Sequence, residues 1–175
     1  MDGVIVEKNF TVSTFSDIEK RKNPRVIKGG DHRKMQWALD NKGNNEPVTP
    51  KQPSTLSGKV GADINTKVMW PITMGNKEIK IAVMDSGVDY NHPDLKGQMW
   101  INESEKNGKA GIDDDGNGYI DDISGYDFAN NDNDPMDDNG HGTHCSGIIG
   151  ALHNDIGIDG VMKNARKVLI DPQVS

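Results

Sequence analysis

The sequence predicts an α/β layered fold built on a parallel sheet, and three stretches carry that expectation. EIKIAVMDSG (78–87) is an apolar run ending in Asp-Ser-Gly, the pattern of a buried strand whose C-terminal end opens into a loop. THCSGIIGAL (143–152) reads as a helix, and KVLI (167–170) reads as a further strand. Strand, helix and strand in this order are the pattern of an α/β layered fold.

The elements follow in chain order. VIVEKNFTV (4–12) suits a short strand, and EKRKNPR (19–25) is a basic, proline-broken connector. From Asn41 to Gly61 the chain carries Gly, Asn, Pro and Ser at loop frequency without sustained periodicity. ADINTKVMW (62–70) places Ile64, Val68 and Met69 at helical spacing, with Asp63 able to cap or charge the first turn and Trp70 in the core. Residues 103–140 read as one long acidic loop. No internal repeat is present.

Composition narrows the function classes. The 175 residues suffice for one domain or a little more, and only 33% are hydrophobic, so a modest core with loops or tails is expected. The net charge of −7 is concentrated: residues 111–140 hold ten Asp and no Lys or Arg. So acidic a tract argues against nucleic acid as a partner and for bound cations. The single cysteine, Cys145, excludes an internal disulfide framework. No apolar run reaches membrane-spanning length, and residues 1–20 show no signal-peptide core.

Two local features invite chemistry. Asp85 ends the first strand, where functional residues of open α/β sheets gather, although an Asp turn bonded to following amides explains it equally. NGHGTHCSG (139–147) sets His141 at a helix start, where the positive dipole end favours the neutral imidazole. His144, three residues on, is expected to turn toward the core or backbone partners. Cys145 shares a helix face with His141 and is read as a small packing residue beside it, not as a nucleophile. Zinc on this stretch would need further ligands that the spacing does not supply.

The acidic tract contains IDDDGNGYIDD (112–122), with oxygen donors alternating at Asp113, Asp115 and Asn117 before Gly118. This is the first half of an EF-hand-type loop, to which Tyr119 would add a carbonyl and Asp121 or Asp122 a carboxylate. Ser124 replaces the bidentate Glu of the twelfth position, and no helix pair flanks the loop, so calcium binding is expected without an EF-hand.

DSGVDYNHPDL (85–95) and HGTHCSG (141–147) together resemble the Asp and His signatures of subtilisin-like serine proteases. The similarity extends through QWALDNKG (36–43), IAVMDSGVDYNHPDL (81–95), GYDFANNDNDPMDDNGHGTHCSGIIGAL (125–152) and IGIDGV (156–161). The resemblance implies a three-layer subtilisin-like fold in which Asp85 orients His141 and His141 acts as general base for a serine nucleophile. It also implies two further structural calcium sites. One comprises Asp127, Asp132, Asp134 and the Met136 carbonyl, with Asn130 standing where some relatives have Asp. The other comprises Asp94, the Asn154 side chain and the carbonyls of Leu152, Ile156 and Ile158.

On this reading residues 1–34 are a propeptide remnant or linker, and 35–175 the N-terminal portion of a peptidase domain. No oxyanion Asn and no Gly-Thr-Ser element with the nucleophile follow the His signature. The expected fold is therefore truncated before its C-terminal half, and the polypeptide is expected to be inactive on its own. Protein or peptide substrates, a monomeric full domain, and a secreted or secretory-pathway location follow from the resemblance. The alternative is a non-catalytic calcium-binding or regulatory protein derived from such a protease.

Overall fold

A computed structural model of the chain describes residues 32–33, 36–43, 58–164 and 168–170. Regular structure comprises α1 (Thr66–Met69), β1 (Ile81–Val83), α2 (Glu103–Asn107), α3 (His141–Gly150) and β2 (Val168–Ile170). Strands β1 and β2 pair in parallel, with Ile81, Ala82 and Val83 opposite Val168, Leu169 and Ile170. Parallel neighbours require a crossover, and α3, which packs on β1, lies within it. The expected strand–helix–strand order and the parallel pairing are thus both present.

The strand expected over 78–87 contracts to three residues. Among the described residues its only partner is β2, so Val83 is buried while Ile79 and Met84 stay exposed. Apolar continuity in the sequence therefore overstates how much of this strand is covered. The core is small: Val83, Val88, Leu95 and Met99 are buried together, with Tyr90, Cys145 and Ile149 packed around them.

Two other expectations change. The helix expected over 62–70 is one turn, α1, and both Ile64 and Val68 are exposed. Asp63 does not cap it: its carboxylate accepts from the backbone N–H of Asn65 at 2.7 Å and of Asn41 at 2.8 Å. Those bonds hold the chain in a left-handed kink at Asn65 and delay the helix start. Trp70 is half-buried, donates from Nε1 to the Val161 carbonyl at 2.9 Å and meets His153 edge-on. The stretch 103–140 is not all loop, because α2 forms at its start.

Long-range polar ties fix the loops around this frame. Gln36 grips the backbone of Asp159, donating to its carbonyl and accepting from its N–H, each at 2.8 Å. The buried Gln98 donates to the carbonyls of Gly150 and Lys163, which fastens the end of α3. The expected strand at 4–12, the connector at 19–25 and the boundary between residues 34 and 35 lie outside the described residues. Among those described, no helix is long and apolar enough to cross a membrane.

Candidate functional site

Asp85 stands two residues beyond β1, and His141 is the first residue of α3. The fold brings these residues, 56 positions apart, into contact: His141 Nδ1 lies 2.7 Å from Asp85 Oδ2 and 2.8 Å from Oδ1. An ionised carboxylate only accepts, so Nδ1 carries the proton of this bond, and in the neutral ring Nε2 is then the acceptor. The His141 side chain is 67% exposed, whereas Asp85 is 16% exposed, so the base is accessible and its partner is sheltered. Burial pushes the Asp85 carboxyl up, but the Ser86 N–H and His141 outweigh it and hold it below the ordinary carboxylate range.

The approach is close because two glycines allow it. A Cβ on Gly142 would overlap the Gly87 carbonyl oxygen, and one on Gly87 would sit 2.7 Å from the Pro135 carbonyl oxygen. Gly87 also has φ of +100°, which side chains rarely adopt. Around this junction lies a carboxylate that local sequence did not single out, Asp137. It accepts from Ser86 Oγ, from the backbone N–H groups of Asn139, Gly140 and Thr143, and from Thr143 Oγ1. Burial raises its carboxyl, yet those donors, led by the Thr143 hydroxyl, hold it below the ordinary range.

Cys145 packs against the core with Sγ 3.9 Å from His141 Nδ1 and 4.0 Å from Nε2. Being nearly equidistant from both nitrogens, the sulfur lies along neither lone pair. Ligand atoms of Asp85, His141 and Cys145 all lie within 4.8 Å of one another. Burial, followed by the Asp85 charge, pushes the thiol up, which disfavours a thiolate. His144 departs from expectation. It is exposed instead of turning inward, because helical geometry carries it around α3 away from β1.

The acidic loop is organised around a residue missed in the sequence. Glu105, on α2 and 3% exposed, accepts from the N–H groups of Asp114, Asp115 and Asp121. Its carboxylate, with those of Asp115 and Asp122, forms a group whose ligand oxygens lie within 4.8 Å of one another. The side-chain amides of Asn102 and Asn117 each donate to both Asp115 and Asp122. Burial raises the Asp122 carboxyl above its ordinary value despite those amides, with the Asp115 and Glu105 charges adding to the rise. Asp113 instead closes the turn, accepting from the backbone of Gly116, Asn117 and Gly118. Tyr119 packs on Tyr126 and Phe128.

The two other expected oxygen sets differ in how far they gather. Asp94 is 3% exposed, and its Oδ1 lies 3.3 Å from Asn154 Nδ2 while Oδ2 accepts from the Ile158 N–H at 3.2 Å. The Leu152 N–H donates to the Asp94 carbonyl and the Ile156 N–H to Asn154 Oδ1. Residues 94 and 152–158 therefore share one cradle, held by bonds in which Leu152, Ile156 and Ile158 contribute their N–H groups. Around residues 127–136, Asp127 and Asp132 form a backbone bridge, and Asp127 accepts from Ala129 and Asn130. Asp134 takes the Tyr90 hydroxyl, and Met136 lies on the segment that leads to Asp137.

Known proteins fit this arrangement. Subtilisin-like protease 1 of Plasmodium berghei is 57% identical over 91 residues, covering 51% of this chain and 15% of the relative. A thermophilic serine proteinase from a Bacillus species (strain AK1) is 41% identical over 102 residues, 58% of this chain and 20% of that protein. Thermitase of Thermoactinomyces vulgaris is 35% identical over 119 residues, 67% of this chain and 34% of its own length. The chain thus spans a minor part of each. Among solved structures, the Aeromonas sobria serine protease, crystallised with its chaperone ORF2, superposes with a TM-score of 0.54 at 23% identity. That match covers 82% of this chain and 20% of that one, and it supports an α/β fold of the same kind. Residues 76–172 match the subtilase family of S8 peptidases, and the chain belongs to that family.

Proposed function

We propose that this chain carries the Asp–His half of a calcium-dependent serine endopeptidase, with Asp85 as orienting carboxylate and His141 as general base. The observation that supports it most is the contact of His141 Nδ1 with both Asp85 oxygens, at 2.7 and 2.8 Å. With Nδ1–H tied down, Nε2 takes the proton of a serine hydroxyl as that oxygen attacks a peptide carbonyl, and later returns it to the leaving amine. Asp85 stabilises the imidazolium between those two transfers.

Among the described residues, neither serine near the pair suits the nucleophile. Ser86 Oγ is engaged with Asp137 and the Gly142 N–H, and Ser146 is fully buried. The 175-residue polypeptide alone is therefore expected to hydrolyse no peptide. Activity, on protein or peptide substrates and from a secretory compartment, would belong to a polypeptide in which a serine-bearing segment and oxyanion donors meet this pair. A fluorophosphonate probe tests this: no serine of the purified chain should be labelled, and labelling would overturn the inactivity. In a serine-bearing form, Asp85→Asn should lower kcat by about four orders of magnitude. Full activity in that variant would overturn the role of Asp85, whereas no activity in the parent serine-bearing form would favour the second reading, a non-catalytic calcium-binding or regulatory protein.

Calcium is proposed as a structural ion. The donor sets are all oxygen, and residues 111–140 contain no Lys or Arg to neutralise them. Glu105, Asp115 and Asp122 fit such an ion best, with Asn117 and Tyr119 beside them. Asp94 and Asn154 fit next, with Leu152, Ile156 and Ile158 framing the loop. Asp127, Asp132, Asp134 and Met136 form the third set, while Asp113 serves to shape the first loop. Bound there, calcium supplies positive charge that ties surface loops together, and hydrolysis runs through residues apart from it.

A further inference from the structure

We infer that Asp137 is a positioning residue that sets the Asp85–His141 contact by bracing both of the segments that carry the pair. This rests on the catalytic reading of that pair. The geometry behind it is a division of labour at the start of α3. A helix leaves its first N–H groups without intrahelical partners, and the cap position here is Gly140, which has no side chain to offer. Asp137 supplies what Gly140 lacks: its Oδ1 accepts from the Gly140 N–H at 2.7 Å and its Oδ2 from the Thr143 N–H at 2.9 Å. The Gly142 N–H goes to Ser86 Oγ at 3.1 Å.

The same carboxylate also reaches across to the strand-end segment, and it does so twice. Ser86 Oγ donates to Asp137 Oδ1 at 2.9 Å, one residue from Asp85. Thr143 Oγ1 donates to Oδ2 and accepts from the Asp89 N–H at 2.8 Å. Each hydroxyl thus spends its one proton on Asp137 and a lone pair on an N–H from elsewhere in the junction. The two relays thus hold the segment from Ser86, next to Asp85, to Asp89, with the Val88 N–H on the Pro135 carbonyl at 3.0 Å between them. His141 sits on the first residue of the helix so held. A turn of α3 about its N-terminus would carry Nδ1 off the carboxylate, and misplacements of about 1 Å at a catalytic group cost on the order of a hundredfold in rate.

Only a carboxylate suits the position. All five contacts present donors to Asp137, whereas an asparagine there has one acceptor oxygen and an NH2 that would face N–H or O–H groups. A residue that merely capped α3 would matter to the helix alone. The Ser86 arm is what makes Asp137 matter to the distance between helix and strand.

The test follows the Nδ1–H proton of His141 by NMR in the calcium-loaded 175-residue chain, through its low-field resonance and its exchange with water. In the parent chain the resonance should be present, and Asp85→Asn should abolish it. If the parent lacks it, the catalytic pairing itself fails. With the pairing intact, Asp137→Asn should speed exchange about tenfold or more, while far-UV circular dichroism and the amide signals of α3 persist. Ser86→Ala removes both the hydroxyl's bond to the Asp137 carboxylate and its bond from the Gly142 N–H, and should speed exchange about fivefold or more. Should Asp137→Asn melt α3, Ser86→Ala decides alone. Exchange at the parent rate in Ser86→Ala would overturn the inference and reduce Asp137 to a helix cap; faster exchange with α3 intact would support it.

Discussion

Two regions of this molecule are rich in carboxylates and treat them in opposite ways. At the junction of residues 85–89 with 135–143, the carboxylates of Asp85 and Asp137 have donors from the protein itself. Asp85 has the Ser86 N–H and His141, and Asp137 has five contacts, so both are held below the ordinary carboxylate range. In the loop of residues 105–122, the like charges of Glu105, Asp115 and Asp122 crowd within 4.8 Å, and Asp122 is held above that range. The first region is organised by hydrogen bonds before any ligand arrives, as a general base requires. The second gathers like charge that the proposed structural ion would neutralise.

The sharpest way to break the contrast is through glycine. Gly142→Ala would drive a methyl group into the Gly87 carbonyl oxygen, so backbone must move apart at the junction. A cost of about 3 kcal/mol or more is expected. In the acidic loop, Gly116→Ala meets nothing within 4 Å and pays only for its φ of +72°, about 1–2 kcal/mol. Denaturant unfolding in saturating calcium compares the two. Equal destabilisation would mean that the junction is not the more tightly fitted region.

Calcium removal probes the other side. At a hundredfold excess over Kd a ligand contributes about 2.7 kcal/mol, and chelation should remove that from each occupied site. Hydrogen exchange then reads where it is lost: amides of residues 105–122 and 152–158 should lose protection, and those of 86–89 and 141–147 should keep theirs. Uniform loss across both regions would contradict a separation between a hydrogen-bonded junction and an ion-bound loop.

What the sequence reveals follows the same division. Asp85 and His141 are readable because each sits in a short contiguous signature at the end of a regular element. Helix α3 is readable too and begins at His141, the helix start expected there, two residues ahead of the stretch 143–152; its cap comes from Asp137 through space and not from the residue at the cap. Glu105 escapes because its function depends on α2 folding against the amides of Asp114, Asp115 and Asp121, 9 to 16 positions away. The loop's own spacing favours Asp113, which the fold uses to close a turn. The strand at 78–87 is overread since an apolar run reports hydrophobicity, whereas burial depends on which layers cover it.

A narrower cut through the loop is Glu105→Gln. The side chain keeps its length and one carbonyl oxygen, but it loses the charge and turns an NH2 toward the loop amides. Calcium affinity by titration calorimetry should fall about tenfold or more. Affinity at the parent value would place the ion elsewhere, on Asp94 or on Asp127 and Asp132, and leave Glu105 as a hydrogen-bond acceptor alone.

The smallest effect separates the regions by sign. Asp85 and Asp137 have depressed folded values, so their stabilisation is present above the ordinary carboxylate pKa of about 3.9 and is lost as pH falls through those depressed values. Asp122 is raised, so without calcium the fold favours its protonated form. Its contribution is present below the ordinary value and is lost as pH rises through the raised one. Carboxyl-carbon NMR of the calcium-free chain should therefore find Asp85 titrating below, and Asp122 above, an exposed aspartate. Calcium should reverse only the second, because an ion bound to Asp122 requires the deprotonated carboxylate and lowers its titration, while Asp85, already matched by Ser86 and His141, should not move. A shift of both on adding calcium would mean that the two regions answer to one ion.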